Sequence, residues 1–486
     1  MTAASRNGNG KSMSRSAAGS AGRGRRAAGL PAAVAAALCL VGVRWLWIRS
    51  ATTRVRSFRR ISAEPLVMIP GESVGADEFK TLYRHPAAQQ RRTGASLSGL
   101  HFYWLAPSAR IHQENLENGP EYTRIASATR HILAVPPASA RQAAGRLTGE
   151  ALDRLPAHQA VAVRVRDLMT PVWAEFFYEL VFREPCPAAV RALITANSDN
   201  LLGTIKHISP RNLRVRHRLA DALSDRLTNG NPVPAFPASL SVHRQALYLQ
   251  GVVFGTGVAQ MSEAVAHLCM NLATRRSLQH DIAADTDGDR LLDMALQESL
   301  RLNPLFGIAH RIASTDIETP GTRIRRGSVL CFDFTAYQRQ GFDRPDEFLP
   351  ERWQHLSEHN TNQAPFGVQG NRPCPARSLA LTTAKAAVSE ILHRYELQTT
   401  ARHTRPLHNR GPCILIPRAA TAPSGRSSSA PLRLRMRLRD GMDETYYRAA
   451  QLAVGAWTVR RARLAARPAP GIQDTRTQPQ PSRPAP

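Results

Sequence analysis

From about Glu64 to Leu240 the apolar residues recur mostly at the spacing of a helix face. Prolines at Pro136-Pro137, Pro185, Pro187 and across Pro232–Pro237 break the runs. There is no long apolar–polar alternation and no internal repeat, so the pattern predicts a core that is mainly α with a small β region. Val252 to Cys269 predicts a further helix, on which Thr256, Gln260, Glu263, His267 and Asn271 form a polar stripe. Such a stripe is a solvated face on a surface helix and a functional line on a central one. Leu291 to Leu302 predicts an amphipathic helix stopped by Pro304. Pro320 to Phe334 alternates around an Arg326-Gly327 turn and predicts a short hairpin. A glycine-bearing loop from Phe366 then leads into a helix from Arg377 to about His393.

The two ends depart from this pattern. Residues 1–28 are rich in Gly, Ser and Arg, a composition of disorder. Residues 30–48 form an apolar run close to the roughly 20 residues a membrane span needs, with Arg44 near one end and Trp45 and Trp47 suited to an interface. The following Arg49, Arg54, Arg56, Arg59 and Arg60 would keep the body of the chain in the cytoplasm. A membrane anchor, a cleaved signal peptide and a misassigned start codon all remain open for this segment. Residues 420–486 read as a largely disordered Pro/Arg-rich tail, interrupted by an amphipathic helix from Glu444 to Ala466 that is read as solvated.

Composition narrows the classes. The 486 residues hold one large domain or two to three small ones. The net charge of +27 is carried almost entirely by arginine, since Lys11, Lys80, Lys206 and Lys385 are the only lysines. With no zinc-finger, basic-zipper or RNA-recognition pattern, no nucleic-acid partner is expected. The six cysteines, Cys39, Cys186, Cys269, Cys331, Cys374 and Cys413, make no Cys-x-x-Cys and no disulfide framework, which fits a reducing compartment.

The chemistry lies in the loop Phe366-Gly367-Val368-Gln369-Gly370-Asn371-Arg372-Pro373-Cys374-Pro375-Ala376-Arg377. A cysteine just ahead of a helix has free backbone N–H groups near it, which stabilise a thiolate. A thiolate is a strong axial ligand for heme iron, and Arg372 is placed to pair with a heme propionate. The loop alone leaves an ordinary buried cysteine open. Two upstream segments stand in order with it: Glu298-Ser299-Leu300-Arg301, at helical spacing, and Phe342-Asp343-Arg344-Pro345-Asp346-Glu347-Phe348-Leu349-Pro350-Glu351-Arg352-Trp353. Each is weak alone. Together, from about Leu291 to Pro417, they resemble the cytochrome P450 family, whose patterns are Phe-Gly-x-Gly-x-Arg-x-Cys-x-Gly and Pro-Glu-Arg-Phe. The resemblance is thin before Leu249. Three departures stand out: one extra residue between Phe366 and Gly370, Ala376 for glycine, and Trp353 for phenylalanine.

The resemblance implies a cytochrome P450 fold over residues 59–419, with 1–58 and 420–486 outside it. It implies heme b (protoporphyrin IX iron) bound through Cys374 as the metal ligand, with Phe366, Gly370 and Arg372 in the heme loop. Glu298, Arg301 and Arg352 would form a buried charged triad bracing that loop. Arg124 and Arg130 are candidates for a second propionate contact. The central helix lacks the family's acid–threonine pair, with Val258 or Gln260 at the threonine place, so proton delivery is expected at Thr256, Gln260 and Glu263. The implied function is oxidation of a small, largely apolar organic substrate with dioxygen and two electrons from a donor protein. That donor would be of ferredoxin or reductase type, and acidic to match the basic chain. The alternatives are a dehydratase, an oxidative-coupling or a peroxide-dependent heme-thiolate enzyme, and an inactive heme binder. Two further patterns are weaker. Gly71-Glu72-Ser73-Val74-Gly75 matches a hydrolase nucleophile motif but is followed by no βαβ rhythm. Asp285-Thr286-Asp287-Gly288-Asp289 lacks the glycine and glutamate of a calcium loop.

Overall fold

The computed structural model describes residue 42 and residues 53–62, 64–91, 111–112, 114–233, 235–236, 240–284, 289–401, 410–418 and 430–465. One compact unit begins at Thr52, and all elements below belong to it. The apolar run 30–48, apart from Gly42, and the segment 285–288 lie outside the described residues. Among those described, no helix is long and apolar enough to cross a membrane.

The chain opens with α1 (Thr53–Ile61), β1 (Leu66–Ile69) and α2 (Phe79–Arg84), then α3 (Pro120–Leu133) and α4 (Pro137–Leu152). Next come β2 (Val161–Arg164), α5 (Val165–Phe182), α6 (Ala188–Ile205), α7 (Leu213–Asn229) and α8 (Val242–Tyr248). A π-helical stretch, Leu249–Gly257, leads without a break into α9 (Val258–Leu272). After α10 (Arg276–Ala284) and α11 (Arg290–Leu302) come strands β3 (Ile308–Ile312), β4 (Ile317–Thr319), β5 (Thr322–Ile324) and β6 (Val329–Asp333). The last elements are α12 (Phe334–Tyr337), α13 (Arg377–Arg394), β7 (Tyr395–Gln398), β8 (Pro412–Pro417) and α14 (Ala430–Ala465). Three small sheets have the strand orders β1-β6-β3, β2-β8-β7 and β4-β5.

α9 runs through the core of this unit. Of its 15 residues all but Gln260 are buried, so its polar stripe is not a solvated face. It packs against α5, whose Trp173, Phe176, Phe177 and Tyr178 are themselves buried, and against α13. The π-helical entry has a local cause. At Gly255 an added Cβ would meet the Gln250 carbonyl oxygen at 2.8 Å, and the Thr256 hydroxyl donates to the Gly251 carbonyl five residues back at 2.8 Å. Wide turns of this kind recur at functional sites.

The structure changes four expectations. The hairpin is β4 with β5, turning at Pro320-Gly321, while the strand after Arg326-Gly327 joins β1 and β3 instead. Pairing with the distant β1 wins over the local turn signal. The tail expected after residue 420 contains α14, a continuous helix of 36 residues. Its Val459 packs with Phe58 and Ile61 of α1, which are 2% and 4% exposed. The fold therefore includes residues before position 59. Arg124 and Arg130 both point to solvent, because the buried face of α3 is Ile125, Ala126, Ala128, Thr129 and Ile132.

Candidate active site

An open-mouthed cavity lies between the π–α9 helix and the cysteine loop. Its walls are largely apolar: Leu133, Phe177, Val253, Met261, Leu305 and Phe306 face it, and Cys374 and Phe366 line it from the loop. Thr256 and Gln260 are the polar residues that the π–α9 helix turns toward it.

The loop takes its shape from three residues with positive φ, Gly367 (81°), Gly370 (86°) and Arg372 (48°). The Cys374 N–H donates to the Phe366 carbonyl at 2.8 Å and closes the loop across the extra residue. Gly370 serves this turn and does not line the cavity. Burial pushes the Cys374 thiol up, the Ala376 N–H pulls it down, and Glu114 adds to the rise. The net direction is upward, against the expectation from the helix N-terminus alone. Desolvation outweighs the few backbone dipoles, so a thiolate here calls for a directly bound cation.

Behind one end of the cavity four charges meet. Arg91 and Arg311 are 3% and 2% exposed and lie 3.5 and 3.4 Å from the Glu114 carboxylate. Burial would raise that carboxyl, but Arg311, Arg91, His112 and Arg372 outweigh it and hold it at about 2. Burial also lowers Arg91 to about 9 and His112 to about 4. Arg372 joins from the loop: its guanidinium stacks 3.8 Å over the Tyr122 ring and donates to the Leu116 carbonyl at 2.8 Å. Three guanidiniums face the Glu114 carboxylate, with the Glu117 carboxylate accepting the Arg91 N–H at 2.8 Å and acting on Arg372, so cationic charge is in excess with His112 neutral. Arg91 Nε and Nη2, Arg311 Nε and His112 Nε2 have no hydrogen-bond partner among the described residues. A buried excess of cationic charge with unmatched donors suits an anionic group, and the propionates of protoheme are one. The residues present therefore fit that group: an apolar slot, a thiol on one face and cations at one edge.

Glu298, Arg301 and Arg352 come together. The Glu298 carboxylate accepts from Arg301 Nε at 2.9 Å and Nη2 at 2.8 Å, and Arg352 Nε lies 3.2 Å away. It also accepts from the Leu349 N–H at 3.1 Å and from Trp353 Nε1 at 2.9 Å, so the substituted tryptophan adds a donor. Gln338 carries the brace to the loop. Its amide donates to the Leu300 and Arg301 carbonyls at 3.0 and 3.1 Å, and its oxygen accepts from the Ala364 N–H at 2.9 Å.

Glu263 does not line the cavity. It is buried on another side of α9, ion-paired with Lys206 and, at 3.4 Å, with Arg166. Burial would raise its carboxyl, but Lys206, Arg166 and His267 prevail and hold it at about 2. A carboxylate so engaged is a structural partner, not an acid facing the cavity. Sequence reasoning missed Arg91, His112, Glu114, Arg311 and Gln338. A charged residue inside the apolar strand Ile308–Ile312 was the one available signal.

Comparison with known proteins agrees with this geometry. Residues 276–421 match the family model "Cytochrome P450". Cytochrome P450 3A12 of Canis lupus familiaris is 27% identical over 40% of this chain and 41% of its own length. Putative cytochrome P450 135B1 of Mycobacterium bovis is 31% identical over 24% of this chain and 25% of its own. The chain thus spans about two fifths or less of these curated relatives. Among solved structures, a variant of cytochrome P450 OleT in complex with arachidonic acid aligns with a TM-score of 0.59 at 15% identity, covering 70% of this chain and 83% of that one. P450BioI in complex with an acyl carrier protein aligns with a TM-score of 0.56 at 16% identity, covering 71% and 91%. This chain therefore has the cytochrome P450 fold, and its residues 276–421 match the cytochrome P450 family model.

Proposed function

We propose that the protein is a heme-thiolate monooxygenase. It would bind heme b through Cys374 and oxidise a small, largely apolar substrate with dioxygen and two electrons from a donor protein. The observation that carries this reading is one cavity lined by Cys374, Thr256 and Gln260, with Arg372 and Glu114 at one end and Arg91 and Arg311 paired to Glu114 behind them. Bound heme supplies the oxygen-activating chemistry, which a thiolate ligand favours. The chain's own residues do the rest. Phe366, Gly370 and the Cys374 N–H hold the loop, and Arg91, Arg311 and Arg372 neutralise the carboxylates at the cavity edge. Leu133, Phe177, Met261 and Leu305 exclude water and hold an apolar substrate. Thr256 and Gln260 hold protons beside the reacting face. The basic chain would steer an acidic ferredoxin- or reductase-type donor.

A peroxide-dependent reaction is the second reading. It is favoured by one observation: the carboxylate nearest Thr256 and Gln260 on their helix, Glu263, is tied to Lys206 and Arg166 away from the cavity. The decisive experiment is the ferrous–carbon monoxide spectrum, expected to show the red-shifted thiolate band and to lose it in Cys374→Ala. Identical spectra for the two proteins would remove the central claim. A library screen for Soret shifts then finds the substrate class, and turnover with peroxide alone against reductant plus donor separates the two readings.

A further inference from the structure

α14 has two faces. Its inner face packs through Met436, Arg448, Gln451 and Val459, all buried. Its outer face is unlike the rest of the surface. The described residues include eight exposed large hydrophobic side chains, and six of them are here: Leu434, Leu438, Met442, Tyr446, Trp457 and Leu464, 40% to 74% exposed. The first four repeat at i, i+4, which draws them into one stripe. Among the described side chains of the helix, every other exposed one belongs to alanine, glycine, proline or arginine. The exposed arginines are Arg433, Arg435, Arg437, Arg439, Arg460 and Arg461.

No carboxylate is in the exposed set. Asp443 pairs with Arg164, Glu444 with Arg448 at 2.6 Å, and Asp440 is half-buried. A helix face that merely meets water mixes both signs of charge and leaves large apolar side chains out. A second copy of this face would bring arginine rows against arginine rows. An acidic protein would answer the charge and leave the stripe in water. An anionic bilayer answers both: apolar side chains enter the acyl boundary, arginines reach phosphates, and Tyr446 and Trp457 sit at the headgroup level.

We propose that the outer face of α14 is a membrane-surface site for anionic phospholipid, lying in the plane of the interface. The assignment is independent of the heme chemistry. It is also distinct from any role of the apolar run 30–48, so the test reads α14 locally in the full chain. The purified protein is mixed with vesicles of phosphatidylcholine, with or without phosphatidylglycerol, and with brominated acyl chains. The Trp457 contribution is isolated by comparison with Trp457→Phe.

The expected result is Trp457-dependent quenching on phosphatidylglycerol-containing vesicles. It should fall at least about tenfold in affinity in the triple variant Leu434→Ser, Leu438→Ser, Met442→Ser. It should also fall about fivefold for each arginine changed to Gln among Arg435, Arg439 and Arg460, which share the angular sector of the stripe. All these positions face solvent, so an unchanged thermal midpoint is expected throughout. Three results overturn the proposal. One is vesicle binding with no quenching of Trp457. Another is triple-variant binding equal to wild type, which would mean a purely electrostatic polyanion surface. The third is a dimer in sedimentation that the triple variant abolishes without vesicle binding in either protein.

Discussion

Glu298 offers the sharpest test of the brace beneath the cysteine loop. Its side chain and that of Arg301 are both fully buried. Glu298→Ala removes the acceptor for Arg301 Nε, Arg301 Nη2, the Leu349 N–H and Trp353 Nε1. Arg301 keeps the Gln338, Pro345 and Glu347 carbonyls, but its charge loses its counterion. Breaking a buried pair from one side costs about 3–5 kcal/mol. The two stranded neutral donors place this case toward the upper end, since each unsatisfied group costs about 1–3 kcal/mol in isolation. Against a usual stability of roughly 5–15 kcal/mol, a third or more of the total would be lost. Glu298→Gln should be little better, because its amide would point a donor at donors. Arg352→Ala should be milder, because Arg352 is 11% exposed and water can reach the gap. Urea unfolding followed by tryptophan fluorescence, with heme retained per chain as a second readout, measures all three. A Glu298→Ala protein within about 0.5 kcal/mol of wild type, the range of ordinary surface changes, would refute the network as a brace.

Three other outcomes follow from the geometry. Thr256→Ala should lower product formed per electron consumed, within the roughly 10²–10⁴-fold range of general acid–base help, while leaving the substrate-binding spectrum unchanged; unchanged coupling would remove Thr256 from the relay. A chain starting at Thr52 should keep heme binding, whereas one starting at Arg59 loses buried Phe58 and about 3–5 kcal/mol, so equal melting of the two would refute the packing of α1. The Glu263 carboxyl sits at about 2 against an ordinary 4.5, so its contribution is present above about pH 4.5 and is lost as pH falls toward 2. Glu263→Gln should be less stable at neutral pH by a margin that shrinks on acidification, as urea midpoints across pH would show, and a constant margin would contradict the ion pairing.

What was legible in the sequence is what is encoded over short distances. Glu298 and Arg301 are one helical turn apart, and the loop from Phe366 to Cys374 is closed by its own backbone, so each is a short local pattern that the family resemblance could pick out. The cationic cluster was not legible. Arg91 and Arg311 meet at Glu114 across 220 positions (311 − 91), and a lone arginine in a chain this rich in them carries no signal. β6 was misassigned for the same reason, because its partner β1 lies far upstream. In α14 the part from Glu444 was read as an amphipathic but solvated helix, while its start at Ala430 and its buried face of Met436, Gln451 and Val459 were missed in an arginine-rich segment. Phe58 was placed outside the fold because its partners, Leu201, Ile308 and Val459, are themselves remote.

The polar stripe on the central helix shows why spacing without height misleads. In a uniform helix Thr256, Gln260, Glu263, His267 and Asn271 share one side, yet they do not share one environment. A helix rises about 1.5 Å per residue, so Asn271 stands roughly 22 Å beyond Thr256, past the end of any one ligand site. There it donates to the Ser299 hydroxyl at 3.0 Å, one residue from Glu298, and ties the central helix to the brace. Glu263 is three residues from Gln260, about 60° off its direction, and that turn carries it from the cavity into the pair with Lys206 and Arg166. The stripe therefore divides by height and angle into a structural part and a cavity part. Thr256 and Gln260 are left as the protonic groups of that wall, a hydroxyl and an amide with no acid beside them on the helix. On the proposed reading, a proton reaching the cavity from this side would pass through those two groups or through water held against them. That is why the coupling of Thr256→Ala, rather than of Glu263→Gln, discriminates between the dioxygen and the peroxide readings.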